Sequence, residues 1–183
     1  MPLSRRDVVI TALGILDRYG LADLSMRRIA AALGVQPGAL YHHVANKQTL
    51  LAALADEILA DLPSPTGTPE AIVTDWAAAF RGALLAHRDG AELVASVQSM
   101  RLAEVSPAQH LARLLQPQLS DPQPAAQAVA HLVLGQVIDE QGHAQLVELG
   151  VIEPDDSDPA TAFAGGVRLL VAGLRETRDH PQN

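Results

Sequence analysis

The chain has 183 residues, a net charge of −8 and no cysteine, so disulfide and thiolate chemistry are excluded. Hydrophobic residues make up 48% of it, but no apolar run is long enough to cross a bilayer. The start of the chain lacks the apolar region of a signal peptide, so we expect a cytoplasmic protein without a membrane partner. Aromatic residues are only 3% while alanine and leucine abound, which favours helices over sheets.

The charge is unevenly distributed along the chain. Residues 1–60 hold six basic and five acidic residues, a net charge of +1, whereas residues 61–183 carry a net charge of −9. Binding to nucleic acid depends on the local electrostatic field rather than on the total charge. The N-terminal third can therefore approach DNA, and the acidic remainder confines the contact to that third.

The first third of the chain predicts four helices. Ser4 and Asp7 resemble a capping box at the start of the first helix. Ser25 and Asn46 are good N-caps for the second and fourth helices, because their side chains can accept a backbone N–H of the first turn. Apolar residues recur at helical spacing, which predicts helices over about 5–19, 26–33 and 37–43. A fourth helix follows Asn46, with an apolar stripe of Leu50, Leu51, Leu54 and Ile58.

A tight turn separates the second and third predicted helices. Gly34 lies where the second helix must end and the chain reverse its direction, and Pro37 suits the first turn of the next helix. Leu40 and Val44 face inward at spacing i, i+4 and leave polar residues on the other faces. This arrangement is typical of a helix-turn-helix, which places its second helix in the major groove of DNA.

Proline-rich residues 63–69 interrupt the chain, and the pattern beyond them stays helical. No strand or internal repeat is convincing, so the predicted fold class is all-α. The remaining helices are expected over about 70–87, 91–102, 107–119, 125–149 and 160–177.

A long, gap-free segment resembles a known family. Residues 33–51, LGVQPGALYHHVANKQTLL, carry in order the pattern of the DNA-binding domain of the tetracycline-repressor (TetR) family of bacterial transcriptional regulators. Three later segments are similar to the effector domain of the tetracycline repressors themselves: residues 87–91, 134–143 and 161–174.

The resemblance implies both a domain organisation and a function. It implies an N-terminal three-helix helix-turn-helix domain (1–47), a connecting helix (48–62) and a helical-bundle domain for effector binding and dimerisation (63–183). It also implies a ligand-responsive repressor that binds a near-palindromic DNA operator as a homodimer and is released by a small-molecule effector. An activator of the same fold, and an all-α enzyme, stay open as alternatives.

The contacts that position such a protein on DNA would come from three residues in and after the third predicted helix. Tyr41 and His43 can donate hydrogen bonds to phosphate, and Lys47 is a flexible point charge for the DNA backbone. Outside this motif, a tyrosine beside a pair of histidines would more often be an ordinary surface feature.

Four more residues are candidates for the DNA interface. Gln36, Ala39 and His42 are placed to meet base edges, and Ala39 can touch a thymine methyl group. Arg27, at the start of the second predicted helix, matches a residue that reaches a base or phosphate in the family. Because the turn residues offer few hydrogen-bonding groups, the sequence does not predict which bases are read.

The effector site that the resemblance implies is altered in this chain. Aligned on residues 87–91, Val94 replaces the magnesium-binding histidine of the tetracycline repressors, and Val97 replaces a nearby threonine. Pro63 and Trp76 replace two more drug-contacting residues, whereas Phe80 is kept. We therefore expect a largely apolar effector and no cofactor. Its candidate lining is Trp76, Phe80, Val94, Val97, Met100, Leu114, Leu134 and Ile138, with Asp139 and His143 as polar anchors.

One spacing resembles a metal site. Glu140 and His143 form a Glu-x-x-His pair, with Asp139 beside them on the same helix face. A carboxylate-bridged di-iron bundle needs two such pairs and two further glutamates, and the chain has one pair. A metal-dependent enzyme that uses these three residues is therefore the minor alternative, and we expect no metal.

Overall fold

The computed structural model describes residues 3–179, and side-chain surroundings are described as far as Leu174. Residues 1 and 2 lie outside the described range. The all-α prediction is confirmed, since within 3–179 the chain forms helices and no strands. The helices are α1 (Arg5–Tyr19), α2 (Met26–Leu33), α3 (Pro37–Leu40), α4 (Lys47–Ile58), α5 (Pro69–Leu85), α6 (Gly90–Met100), α7 (Pro107–Leu115), α8 (Gln123–Glu148) and α9 (Pro159–Asp179).

The chain divides into two compact units. The first, called here the N-terminal unit, comprises Met1–Ala60 and Leu84–Val105. The second, called the C-terminal unit, comprises Asp61–Ala83 and Ser106–Asn183. The N-terminal unit thus holds α1–α4 and α6, and the C-terminal unit holds α7–α9 and most of α5.

The predicted caps form as expected. The backbone N–H of Ser4 donates to the Asp7 carboxylate over 2.9 Å, and the N–H of Asp7 donates to the Ser4 hydroxyl over 3.2 Å. The Ser4 hydroxyl and backbone N–H, which both donate to the carboxylate, lower the pKa of Asp7. Asn46 accepts the backbone N–H of Thr49 over 2.8 Å at the start of α4. These side chains satisfy N–H groups that a helix start leaves without a partner.

The predicted third helix is too long. The α-helix covers Pro37–Leu40 rather than 37–43, because the N–H of His43 donates to the carbonyl of Leu40, three residues back. That bond tightens residues 41–43 into a turn. Leu40 and Val44 are still buried, at 0% and 1% exposure, as the spacing predicts. The predicted ends at 87, 102 and 119 likewise lie past the observed ends of α5, α6 and α7.

In the N-terminal unit, α1 packs on α2 and α4, and α4 packs on α6. Leu16, Leu54 and Leu93 supply one fully buried side chain each from α1, α4 and α6. The segment after α6 is tied to α4 by a carboxylate, because Asp56 accepts the backbone N–H groups of Glu104 and Val105 over 3.0 and 2.9 Å. The helix-turn-helix therefore sits in a closely packed frame that includes α6.

In the C-terminal unit, α8 packs on both α7 and α9. Val129, Val133 and Val137 are buried along one side of α8. A Cβ atom added to Gly166 of α9 would lie 3.1 Å from a methyl carbon of Leu132 of α8. Glycine thus allows these two helices to approach closely. No helix within residues 3–179 has both the length and the apolar character that a membrane span requires.

Candidate DNA interface and effector-binding residues

The turn between α2 and α3 has a fixed geometry. The hydroxyl of Ser25 caps α2 by accepting the N–H of Arg28 over 3.2 Å. Gly34 ends α2 in the left-handed region with φ +68°, a conformation that strains any residue with a Cβ atom. Pro37 begins α3, where its missing N–H leaves no bond unmade. Leu40 then anchors α3 to the core, so its outer face is presented in one orientation.

The predicted DNA-contacting residues lie on the surface of this frame. Tyr41 is 52% exposed, Gln36, His42 and Lys47 are exposed, and Ala39 and His43 are partly exposed. Arg27 is also exposed. The side chains of Arg27 and Lys47 form no hydrogen bond or ion pair with any residue the structure describes. Their charges are therefore available to a ligand, and basic side chains of this kind can bind phosphate.

Two of the predicted effector-lining residues are in contact. Trp76 and Phe80, one turn apart on α5, are fully buried, and their ring centroids are 5.0 Å apart. The indole N–H of Trp76 donates to Nδ1 of His110 on α7 over 2.9 Å. This bond requires His110 to be unprotonated at Nδ1, which places the proton of the neutral ring on Nε2. Burial, and secondarily the charge of Arg113, lowers the pKa of His110, so the neutral form is favoured.

A charged cluster joins three helices of the C-terminal unit. A terminal guanidinium nitrogen of Arg81 on α5 donates to both carboxylate oxygens of Glu140 on α8, over 2.8 and 2.6 Å. The guanidinium also lies 5.3 Å from the ring centroid of Phe163 on α9. The Arg81 and Glu140 side chains are only 18% and 23% exposed. Glu140 is therefore committed to an internal ion pair.

The two predicted polar anchors, Asp139 and His143, line one cavity of about 280 Å³. Its other walls are Gln136 and Glu140 of α8 and Ser157, Pro159 and Ala162 at the start of α9. The Gln136 carbonyl oxygen is buried without a hydrogen-bond partner. His143 Nε2 lies 3.8 Å from an Asp155 carboxylate oxygen. Within residues 3–179, no group of three or more His, Asp or Glu side chains is arranged to hold a metal ion.

The remaining candidate lining residues have different surroundings. Val94 and Val97 of α6 are fully buried in the N-terminal unit. In the C-terminal unit Leu134 is 9% exposed and Leu114 is partly exposed. Met100 and Ile138 are each 37% exposed. Assignment of all these residues to an effector site stays a prediction.

The sequence analysis did not identify two residues of the C-terminal unit that form these contacts. Arg81 is the single basic residue of α5. A lone charge within an apolar helix can indicate a buried ion-pair partner, so the sequence did contain a signal for this residue. His110 carries no such signal. Its bond to Trp76 joins positions 34 residues apart, and only the packing of α5 and α7 brings them together.

Comparisons with known proteins identify the family. Residues 10–54 match the sequence family described as bacterial regulatory proteins, tetR family. The class E tetracycline repressor protein of Escherichia coli is 36% identical over 159 residues, which cover 82% of this chain and 75% of the repressor. The class D repressor from the same organism is 33% identical over 94% of this chain and 89% of its own length.

Solved structures agree with the sequence relatives. The crystal structure of Mycobacterium smegmatis BioQ superposes with a TM-score of 0.84 at 39% identity, covering 96% of this chain and 99% of that one. BioQ has also been solved with its double-stranded DNA operator, at TM-score 0.78 and 39% identity over 96% of this chain and 99% of that one. A TetR variant from Acinetobacter baumannii AYE in complex with minocycline gives TM-score 0.78 at 30% identity, covering 97% of this chain and 99% of that one. The chain belongs to the tetR family of bacterial regulatory proteins.

Proposed function

We propose that the protein is a transcriptional repressor that binds a near-palindromic operator as a homodimer in the cytoplasm and is released by a small-molecule effector. The observation that carries the proposal is the set of exposed, unpaired DNA-contacting candidates on a rigid helix-turn-helix. The side chains of Arg27, Tyr41 and Lys47 have no hydrogen-bond or ion-pair partner within residues 3–179, and they project from elements held by caps and buried anchors. The similar protein BioQ has been solved on its own DNA operator.

The phosphate-contacting residues and the base-reading residues have separate roles. Arg27, Tyr41, His43 and Lys47 supply donors and charge for the DNA backbone, which fixes the position of the protein on the duplex. The residues proposed to meet base edges are Gln36, Ala39 and His42. In a two-fold dimer, two copies of α3 would enter successive major grooves about 34–36 Å apart.

Dimerisation is supported by apolar surface on the last two helices. Leu169 of α9 is 77% exposed, and Leu146 and Ile138 of α8 are 42% and 37% exposed. Leu149, directly after α8, is 70% exposed. Side chains of this kind on two adjacent helices are typical of a surface that a second copy covers.

The effector is proposed to bind in the predicted effector and dimerisation domain, residues 63–183. Trp76 and Phe80 would contact an apolar body, and Asp139 and His143 would act as polar anchors. The similar TetR variant was solved with minocycline, but the valine at position 94 offers no metal-ligating atom. The effector must bind the released state more tightly than the DNA-bound state, because otherwise it shifts no equilibrium.

The proposal is tested by DNA binding of purified protein. A duplex selected from random DNA by the wild-type protein serves as the probe, and fluorescence anisotropy gives its affinity at several salt concentrations. Tyr41→Ala should weaken binding several-fold and reduce the salt dependence, because one phosphate contact is lost. Arg113→Ala, which removes an exposed charge from α7, should leave the affinity unchanged. Failure of the wild-type protein to enrich any DNA sequence would overturn the proposal.

A further inference from the structure

Two adjacent arginines at the start of α2 have opposite surroundings. Arg27 is exposed, and its side chain makes no ion pair or hydrogen bond in the described part of the chain. Arg28, of the same residue type and one position later, is held by three neighbours. Because the two side chains have the same chemistry, the difference between them comes from the residues that surround Arg28.

The guanidinium of Arg28 is fixed on two sides. Its terminal nitrogen lies 2.9 Å from a carboxylate oxygen of Asp23 in the loop before α2. Its central carbon lies 4.3 Å from the ring centroid of Tyr19, the last residue of α1. The backbone N–H of Arg28 donates to the Ser25 hydroxyl that caps α2. One residue therefore joins the start of α2 to the end of α1 through both its side chain and its backbone.

Each contact by itself is weak. The Arg28 and Asp23 side chains are 39% and 57% exposed, and exposed ion pairs add little stability. An exposed cation over an aromatic ring is also a modest interaction. Their combined effect is geometric, because the carboxylate and the ring lie on different segments and contact the same guanidinium. The first turn of α2 is thereby connected both to the loop before it and to the end of α1.

We infer that Arg28 is a positioning residue that directs Arg27 to the DNA backbone. Successive residues of an α-helix point about 100° apart around its axis. When Arg28 is held against Tyr19 of α1, the neighbouring Arg27 is turned away from α1 and out to solvent. The inference rests on the proposed DNA-binding function. It adds a set of three residues, Tyr19, Asp23 and Arg28, that act on DNA binding without touching DNA.

A double-mutant cycle separates a positioning role from a direct contact. The probe is the duplex selected by the wild-type protein, and the affinity is measured by anisotropy across a salt series. Arg27→Ala should lower the affinity about tenfold and reduce the salt slope by about 0.9, the value for one phosphate contact. Arg28→Ala should lower the affinity about threefold. In the Arg27→Ala background, Arg28→Ala should have no further effect, because the residue that it positions is gone.

Variants of Tyr19 test the same inference without removing a charge. Tyr19→Phe keeps the aromatic face and should keep the wild-type affinity. Tyr19→Leu removes that face and should reproduce the loss seen with Arg28→Ala. Arg18→Ala is the charge-matched control, since its guanidinium carbon lies 6.0 Å from the same ring, farther than that of Arg28. It should leave the affinity unchanged.

The possible outcomes are distinct. Equal losses from Arg28→Ala in the wild-type and Arg27→Ala backgrounds would overturn the positioning role, because the two residues would then act independently. A wild-type protein that binds no selected duplex would instead overturn the proposed function. Circular dichroism shows whether the Arg28→Ala variant folds. If it does not fold, the Tyr19→Leu variant tests the inference, and wild-type DNA affinity of Tyr19→Leu contradicts it.

Discussion

Two basic residues of the N-terminal unit contrast with one arginine of the C-terminal unit. In the N-terminal unit, Arg27 and Lys47 are exposed and have no partner among the described residues. In the C-terminal unit, Arg81 is mostly buried and is held by Glu140 and Phe163. The charges of Arg27 and Lys47 are therefore open to a ligand, whereas the charge of Arg81 connects α5, α8 and α9 within its own unit.

The same contrast extends to the aromatic residues. Tyr19 and Tyr41 of the N-terminal unit are 46% and 52% exposed, whereas Trp76 and Phe80 of the C-terminal unit are fully buried. Exposed tyrosines present a hydroxyl and a ring face to other groups. Buried aromatic residues contribute apolar area to a core. The two tyrosines are thus accessible to groups outside the chain, whereas Trp76 and Phe80 contribute to the core of the C-terminal unit.

The largest effect is expected at the internal ion pair. Glu140→Ala leaves the Arg81 guanidinium, 18% exposed, without its carboxylate. Loss of one partner of a buried pair costs about 3–5 kcal/mol, and partial exposure reduces this to about 2 kcal/mol. Urea unfolding followed by the fluorescence of Trp76, the single tryptophan, measures the change. Glu153→Ala in the exposed acidic loop is the control, and equal stabilities for the two variants would break the comparison.

A smaller effect, on DNA binding alone, is expected at the unpaired lysine. Lys47→Ala removes an exposed charge whose side chain forms no hydrogen bond or ion pair with the described residues, so the free energy of unfolding should stay within about 0.5 kcal/mol of wild type. The affinity for the selected duplex should fall about fivefold, and the salt slope by about 0.9. A loss of stability without a loss of DNA affinity would contradict the assignment of this charge to DNA.

The Trp76–His110 bond predicts a dependence of stability on pH. Because burial lowers the pKa of His110 below its usual value of 6.5, the unfolded chain binds more protons than the folded one just below that pH. Stability is therefore fully present above about pH 6.5 and decreases as the pH falls through the folded-state pKa. Trp76 fluorescence during urea unfolding at pH 7.5 and pH 5.5 measures this change. His110→Gln keeps an acceptor but does not titrate, so its stability should vary less, and an unaltered pH dependence would contradict the prediction.

The smallest expected effect is no response to magnesium and tetracycline. Val94 is fully buried and its side chain has no atom that can coordinate a metal ion. Isothermal titration calorimetry should show no tight binding of magnesium-tetracycline, and the complex of protein and DNA should persist in its presence. Tight, magnesium-dependent binding would show that the protein holds a polar ligand site that does not need a metal-binding side chain at position 94.

The sequence predicted the local structure of the DNA-binding region well. Ser4, Ser25 and Asn46 cap helices as expected, because a cap involves atoms within three residues of one another. Gly34 ends α2 for the same local reason, since its backbone conformation excludes a Cβ atom. The predicted length of α3 was wrong, because residues 41–43 form a turn in which the Leu40 carbonyl accepts the N–H groups of both His43 and Val44.

The contacts of the candidate effector residues were harder to predict from the sequence. The positions of Trp76 and Phe80 one turn apart were predictable from helical spacing, and so was the shared face of Asp139 and His143. The bond from Trp76 to His110 was not, because it depends on how two helices distant in sequence come together. The commitment of Glu140 to Arg81 likewise depends on a contact 59 residues apart in the chain.

The sequence by itself determined the all-α fold class, the helix starts, the helix-turn-helix and the family. These follow from caps, periodicity and a motif, which are properties of neighbouring residues. Tertiary structure alone decided which charges are available to a ligand. Arg27 and Arg28 are identical and adjacent in sequence, yet the ring of Tyr19 and the carboxylate of Asp23 hold one and leave the other exposed. Whether a charge has a partner depends on distances of a few ångströms between separate segments, and the packing of those segments sets these distances.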